Sequence, residues 1–227
     1  MPDIKFEKLW DGVYRIDNRL ATENIARGEK VYGEELVDYN GSEYRLWNPY
    51  RSKLAAAIVN GLKTLNIKNG SDVLYVGAAT GTTASHVSDI VGEDGTVYCI
   101  ELSERNMRQL VKVCEKRPNM LPILGDARYP EKYSDVVDEC NVLYQDVSAR
   151  EQAYILNQNE RFLKAGGTAY FVIKSQSVDV GRSPADVFRQ ELNNVNKDLR
   201  LVEKVGIEPF DRLHMFSVFV KDRGRVK

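Results

Sequence analysis

Cysteine is scarce in this chain and never closely paired: Cys99, Cys114 and Cys140 are the only three among 227 residues, and no C-x-x-C motif occurs. A zinc site or a redox dithiol needs clustered ligands, so no metal is expected. Cys99 and Cys140 lie in or beside apolar, strand-like stretches and read as buried core thiols. Long apolar runs are missing too; none approaches the roughly 20 residues that span a bilayer. The opening Met1-Pro2-Asp3-Ile4-Lys5 has no basic-then-apolar signal pattern. A cytoplasmic protein without a membrane partner is the expectation. Neither sign of charge is in excess: 32 basic residues face 33 acidic ones, for a net charge of −1. A free-standing nucleic-acid binder draws most of its affinity from phosphate contacts and usually carries a basic surplus. Arg182, Arg223 and Arg225 are interspersed with acidic residues, and no aromatic run on a strand resembles a base-stacking platform. An RNA substrate would therefore need a local basic patch or a partner to hold it.

What is present is an ordinary globular composition, 43% hydrophobic and 29% charged. The length suits one large α/β domain with a small appendage. Residues 3–46 alternate apolar and polar in short pieces: Ile4-Lys5-Phe6, then Val13-Tyr14-Arg15-Ile16. Turn signals break them at Asp11-Gly12, Asp17-Asn18, Arg27-Gly28 and Asn40-Gly41. Such pieces predict a small antiparallel sheet, and a division into a β-rich part (1–48) and a second domain (49–227). Asn48-Pro49 predicts a helix start, with Asn48 as cap, Pro49 at the first position and an apolar run from Leu54 to Leu62.

From residue 72 strands and helices alternate. Strands are expected at 72–76, 96–101, 121–124, 141–145 and 168–174, and helices near 82–91, 103–116, 150–163 and 184–197. This alternation predicts a mostly parallel sheet covered on both faces. Residues 199–205 and 213–221 form two strand-like runs with no helix between them. They predict a terminal hairpin that brings an antiparallel strand to the sheet edge.

Three elements sit just past successive strands. Gly77-Ala78-Ala79-Thr80-Gly81-Thr82-Thr83 follows the first and opens a helix; its small residues allow a ligand to approach the backbone. Glu101 ends the second strand, where a carboxylate can accept both ribose hydroxyls of an adenosine. Gly125-Asp126-Ala127 follows the third, where Asp126 could meet an adenine amino group. A dinucleotide-dependent oxidoreductase would share the first two features. The turn, however, reads G-x-x-x-G and lacks the strict G-x-G-x-x-G phosphate fingerprint. The terminal hairpin also suits a methyltransferase sheet better, by analogy of fold.

Asp146 and Lys174 close two strands whose carboxyl ends open on one crevice. Lysine at the end of the apolar run Ala169-Tyr170-Phe171-Val172-Ile173 could simply snorkel outward; beside Asp146 it reads as chemistry. Methyl transfer from a sulfonium needs an oxygen nucleophile that is made more anionic and held in line. A lysine serves as base when neutral and stabilises a developing alkoxide when charged.

These residues carry a resemblance. The run Val76-Gly77-Ala78-Ala79-Thr80-Gly81-Thr82-Thr83, with Ser85-His86-Val87-Ser88-Asp89-Ile90-Val91-Gly92 behind it, resembles the fibrillarin family. So do Asp126-Ala127-Arg128 and Glu208-Pro209-Phe210-Asp211-Arg212, and the likeness runs from Val31 to Lys221. It implies a seven-stranded Rossmann-like methyltransferase sheet behind a small N-terminal β-rich domain. It implies an RNA ribose 2′-O-methyltransferase that uses S-adenosylmethionine within box C/D guide-RNA particles, acting on rRNA or tRNA. The implied partners are a Nop-type scaffold protein, a kink-turn-binding ribosomal-protein-like subunit, the guide RNA and its target. The implied catalytic set is Lys53, Asp146, Lys174 and His214, while His86 is structural. The implied donor contacts are Thr82, Thr83, Glu101, Leu102, Asp126, Ala127 and Asp146, with Gly77, Ala79 and Gly81 of the turn. Two departures from the family stand out. The usual Asp-Val-Ala-Gln reads Asp146-Val147-Ser148-Ala149 here, which leaves only backbone contacts to the donor near Ala149. The Gly/Arg-rich extension of eukaryotic members is absent, which points to the compact archaeal type. A particle subunit that has lost catalysis is a further reading, opposed by the presence of Lys53, Asp146 and Lys174.

Overall fold

The computed structural model describes residues 4–223, so Met1 to Asp3 and the expected basic residue Arg225 lie outside the described residues. Five short strands come first: β1 (Phe6–Trp10), β2 (Val13–Ile16), β3 (Arg19–Glu23), β4 (Leu36–Tyr39) and β5 (Ser42–Leu46). They pair antiparallel in the order β1-β2-β3-β5-β4. Two of the turns are set by residues that accept positive φ. Asp17 and Asn18 have φ of 47° and 64°, and Asn40 and Gly41 have 50° and 87°. Left-handed conformation at both central positions matches the right-handed twist of hairpin strands. Phe6, Tyr14, Tyr39 and Tyr44 pack together on one face. Val13, Leu20 and Trp47 join the main core on the other.

The second sheet has seven strands in the order β11-β12-β10-β9-β6-β7-β8. β6 (Asp72–Val76), β7 (Thr96–Glu101), β8 (Met120–Leu124), β9 (Cys140–Gln145) and β10 (Leu163–Lys174) run parallel. β11 (Leu199–Gly206) and β12 (His214–Lys221) form the terminal hairpin, and β12 inserts antiparallel between β11 and β10. Helices α2 (Thr82–Val91), α3 (Glu104–Cys114), α4 (Gln152–Asn159), α5 (Ser175–Val178) and α6 (Pro184–Asn193) connect the strands. Alternate strand residues point to two separate apolar clusters, one on each face of the sheet. Among the described residues no helix is long and apolar enough to cross a membrane.

Several expectations need correction. The helix after Asn48-Pro49 does not start there. The Asn48 side chain accepts the N–H of Tyr50 at 2.9 Å, which makes a local turn. The chain then extends through Ser52, whose hydroxyl caps α1 (Lys53–Val59) by accepting the Ala55 N–H at 3.3 Å. The helix expected over 150–163 stops at Asn159 and continues as a 3₁₀ turn, Glu160–Phe162. The one expected over 184–197 ends at Asn193, where Asn193, Asn194, Val195 and Asn196 are poor helix formers. β10 begins five residues early, at Leu163 rather than at 168, and carries a register break between Leu163 and Thr168.

The seam between the first sheet and α2 is polar and buried. Arg45 of β5 reaches Glu34 and Asp89, and Arg117 reaches Asp89 from the other side. All four side chains are at most 1% exposed. Two cations against two anions balance, and removing one would strand its partner's charge. Thr22 Oγ1 donates to Asp89 at 2.7 Å, so its contact of 2.7 Å with His86 Nδ1 is accepted from an N–H. Tyr32 lies 2.8 Å from His86 Nε2, and Trp47 stacks on the ring. Burial, then the charges of Arg45 and Arg117, keep His86 neutral to well below its ordinary range.

Candidate active site

Parallel strands bring their carboxyl ends to one edge, and every residue singled out from the sequence near a strand end arrives there. β6 gives way to the turn Gly77–Gly81. Gly77 has φ +86°, and a Cβ on it would meet the Asp146 carbonyl oxygen at 2.8 Å. Glycine thus lets the turn after β6 close on the loop after β9. Ala79, at φ 49°, is exposed at the crest of the turn. Gly81, at φ 92°, is the N-cap of α2 and brings no capping side chain, so the first N–H groups of Thr82 and Thr83 lack that partner. Thr83 Oγ1 donates to Ser52 Oγ at 3.0 Å, which joins the start of α2 to the cap of α1.

Glu101, 8% exposed, ends β7. Its Oε2 accepts the Ala79 N–H at 2.8 Å, and its Oε1 accepts the Ser103 N–H at 2.8 Å. Asn106 Nδ2 donates a longer bond of 3.4 Å to the same Oε1. A carboxylate has about four acceptor positions, so one stays open on Oε2, and a pair of vicinal hydroxyls gains a second where the Asn106 bond gives way. Leu102 beside it is 63% exposed, an apolar surface next to that carboxylate. Asp126 follows β8, but Arg128 holds both its oxygens, with contacts of 2.6 to 3.0 Å. Those hydrogen bonds hold the Asp126 carboxyl below its usual range, so an amino group would have to share it. Ala127 is buried at its side. The donor set, a bare helix start with a carboxylate that keeps one open acceptor position and an apolar neighbour, fits an adenosyl amino acid.

The polar cluster lies next to this cradle. Lys53 is the first residue of α1, and its Nζ donates to Asp146 Oδ2 at 3.0 Å. Lys174 closes β10; its Nζ donates to the Asp146 carbonyl at 2.9 Å and to Ser148 Oγ at 3.1 Å. The same Nζ stands 2.8 Å from Asp146 Oδ1, an ion pair without hydrogen-bond alignment. Burial alone would raise the Asp146 carboxyl; Lys53 and Lys174 outweigh it and hold the group below the usual range. His214 opens β12 directly opposite Lys174 in the antiparallel register. Its Nδ1 lies 2.5 Å from Asp211 Oδ2. Burial lowers the His214 ring's pKa despite the pull of Asp211. Lys53, Asp146, Lys174 and His214, drawn from three elements and the loop after β9, thus gather at one edge.

A family model described as fibrillarin matches residues 4–223. The chain belongs to the fibrillarin family. The fibrillarin-like rRNA/tRNA 2′-O-methyltransferase of Methanopyrus kandleri is 45% identical to it over 217 residues, which cover 94% of each chain. Fibrillarin of Aeropyrum pernix, solved in complex with natively bound S-adenosyl-L-methionine, superposes with a TM-score of 0.89 at 44% identity over 96% of this chain and 98% of that one. A chain of a fibrillarin/Nop5p complex gives 0.87 at 35% identity, over 95% and 100%. Fibrillarin membership removes the oxidoreductase alternative.

Three residues of this fibrillarin site escaped sequence reading. Ser148 lies in the loop after Asp146, and its hydroxyl accepts a hydrogen bond from Lys174 Nζ. Asp211 belongs to a recognised motif, yet its contact with His214 needed the fold; the spacing i, i+3 before a strand was its only trace. Ser52 was hidden behind the stronger-looking cap signal of Asn48-Pro49. Ala149 lies in the loop after Asp146, partly exposed, and its carbonyl is held by Gln152 at 2.9 Å.

Proposed function

We propose that this chain is an S-adenosylmethionine-dependent RNA ribose 2′-O-methyltransferase, the catalytic subunit of a box C/D guide-RNA particle acting on rRNA. The observation that carries the reading is the convergence of two lysines on one ionised carboxylate beside a cradle with a glutamate at the end of β7. Glu101 would hold the donor's ribose hydroxyls, Leu102 and Ala127 would flank its adenine, and the start of α2 would face its carboxylate. Bound there, S-adenosylmethionine supplies an electrophilic methyl group. Everything else falls to the chain's own side chains. Two ammonium groups and one carboxylate carry a net charge of +1, which favours an alkoxide developing at a ribose 2′-oxygen. Loss of one proton from the cluster leaves it neutral, so the cluster can also take the hydroxyl proton. Asp146 keeps both amines at one point, which is the orienting task. His214 and Asp211 supply a neutral ring and a carboxylate at the rim, placed to hold the ribose.

The net charge of −1 gives the isolated chain little long-range pull on a polyanion. A Nop-type scaffold and the guide RNA therefore hold the target; a kink-turn-binding subunit completes the particle, and tRNA joins rRNA as a target class. The compartment is the cytoplasm of an archaeal-type cell. The test is radiolabelled methyl transfer to a guided RNA, beside filter binding at near-physiological salt. The expected result is weak binding and little transfer by the chain alone, with site-specific transfer once scaffold, kink-turn protein and guide are added. Sub-micromolar binding with guide-independent, site-specific transfer by the chain alone would refute the particle reading.

A further inference from the structure

The end of β10 is held by a side chain outside the cluster. Gln152, the first residue of α4, is fully buried. Its Oε1 accepts the Lys174 N–H at 2.9 Å. Its Nε2 donates to the carbonyl of Lys174 at 3.1 Å and to the carbonyl of Ala149 at 2.9 Å.

The topology explains why these main-chain groups need a partner. β10 pairs with β9 only as far as Phe171 opposite Gln145. β9 then turns away at Asp146, while β10 runs on to Lys174 alongside β12. Successive peptide groups of a strand face opposite neighbours. The Ser175 N–H points to the β12 side, where it donates to the Leu213 carbonyl at 3.0 Å. The N–H and C=O of Lys174 therefore face the gap that β9 leaves. An unpaired peptide group in such a gap is costly. A glutamine side chain carries the same donor and acceptor as a peptide, and Gln152 fills the vacancy with them.

We propose that Gln152 is a positioning residue for methyl transfer: its amide replaces the missing strand and fixes Lys174 against the loop Asp146–Ala149. The proposal rests on the reading of Lys53, Asp146 and Lys174 as the reacting cluster. Lys174 Nζ is held by atoms of that loop alone, the Asp146 carboxylate and carbonyl and the Ser148 hydroxyl. Its place therefore depends on how the β10 backbone sits relative to the loop, which is the distance Gln152 spans. The donor side is anchored separately. The Asp146 N–H donates to the Val76 carbonyl at 2.9 Å, and Gly77 packs on the Asp146 carbonyl. Loss of the Gln152 clamp thus displaces Lys174 and the Ala149 carbonyl more than Glu101 and the Gly77–Gly81 turn, which would carry most of the donor contacts.

The experiment uses the chain assembled with its scaffold proteins and a guide RNA, under single-turnover conditions with saturating RNA. Gln152→Leu removes all three hydrogen bonds. Gln152→Glu keeps the acceptor and sets a carboxylate against two carbonyl oxygens. Each should lower the transfer rate about 10- to 100-fold, as outer supports of a site commonly do. Donor Kd by calorimetry should stay within about threefold. A buried glutamic acid facing carbonyls is neutral more readily, and its O–H can then donate again. The rate of Gln152→Glu relative to wild type should therefore climb as pH falls from about 9 to about 6. Should Gln152→Leu fail to fold, that pH dependence decides alone. Rates within about threefold of wild type, donor affinity falling together with the rate, or a pH-independent ratio would overturn the proposal. A wild-type particle that transfers no methyl group would overturn the reading of the cluster, and the proposal with it.

Discussion

Asp146→Asn keeps the shape of the carboxylate and removes its charge. In the folded chain Asp146 Oδ2 is 3.0 Å from Lys53 Nζ and Oδ1 is 2.8 Å from Lys174 Nζ. The carboxylate is 13% exposed, against 23% for Lys53 and 12% for Lys174. Breaking a fully buried pair costs about 3–5 kcal/mol. Both amines here keep some access to water, so about 2–3 kcal/mol is the appropriate scale for the loss of stability. The catalytic loss should be larger. Without the carboxylate, two like charges repel and neither is aimed at the substrate. Orientation and proton transfer together are worth about 10²- to 10⁴-fold, or about 3–5 kcal/mol of barrier. The assay is single-turnover transfer in the assembled particle, with donor affinity measured in parallel. The main-chain bond from Asp146 to Val76 survives the change, so donor Kd should move by less than about tenfold while the rate collapses. A rate within about threefold of wild type, with the fold intact, would refute the assignment of the two lysines to one carboxylate-held task.

Two further outcomes follow from other parts of the molecule. Glu101→Ala should weaken donor binding about tenfold or more, because a charge-assisted contact worth about 1.5–3 kcal/mol is removed; unchanged calorimetric affinity would place the ribose elsewhere. His86, neutral in the fold and titrating near 6.5 when unfolded, should make stability fall as pH drops below about 6.5, by up to about 1.4 kcal/mol per pH unit, since the unfolded chain takes up the proton first. Urea unfolding between about pH 7 and 5 in a His214→Gln background isolates it, and a flat profile there would contradict the buried, neutral ring.

The strands and their order of chemistry were readable because each signal is local. A β-branched apolar run ended by glycine, glutamate, aspartate or lysine marks both the strand and what its end presents. The turns at Asp17-Asn18 and Asn40-Gly41 were readable for the same reason: few residue pairs accept positive φ twice. The start of α1 was misread because Asn48-Pro49 satisfies two cap rules at once, while the true cap, Ser52, competes with them four residues later. Gln152, Arg45 and Arg117 left no trace in sequence, and Asp89 entered only as one letter of a family motif. Each looks like an ordinary solvated residue until the fold sets it against partners far away in the chain. Asp126 was read for its position after β8, and only the fold revealed its pairing with Arg128.

The small first sheet acquires a task from these contacts. Lys53 is the one member of the cluster that the large sheet does not carry. It sits on α1, whose Leu54, Ala55, Ala56, Ala57 and Ile58 are buried and whose cap, Ser52, is met by Thr83 of α2. α2 in turn is gripped from the far side by the first sheet: Arg45 reaches Asp89 and Ser85, Thr22 reaches Asp89 and His86, and Gly12 sits so close that a Cβ would meet Ile90 Cα at 2.9 Å. The same helix follows directly on the Gly77–Gly81 turn, whose Ala79 N–H meets Glu101. One rigid helix therefore links the first sheet, the Gly77–Gly81 turn and the cap beneath Lys53. A displacement of the seam would reach Lys53 and the Gly77–Gly81 turn together, whereas a displacement at Gln152 would reach Lys174. The two lysines that meet on Asp146 thus depend on separate supports, and the ion pairs at 2.8 and 3.0 Å exist only where both supports agree.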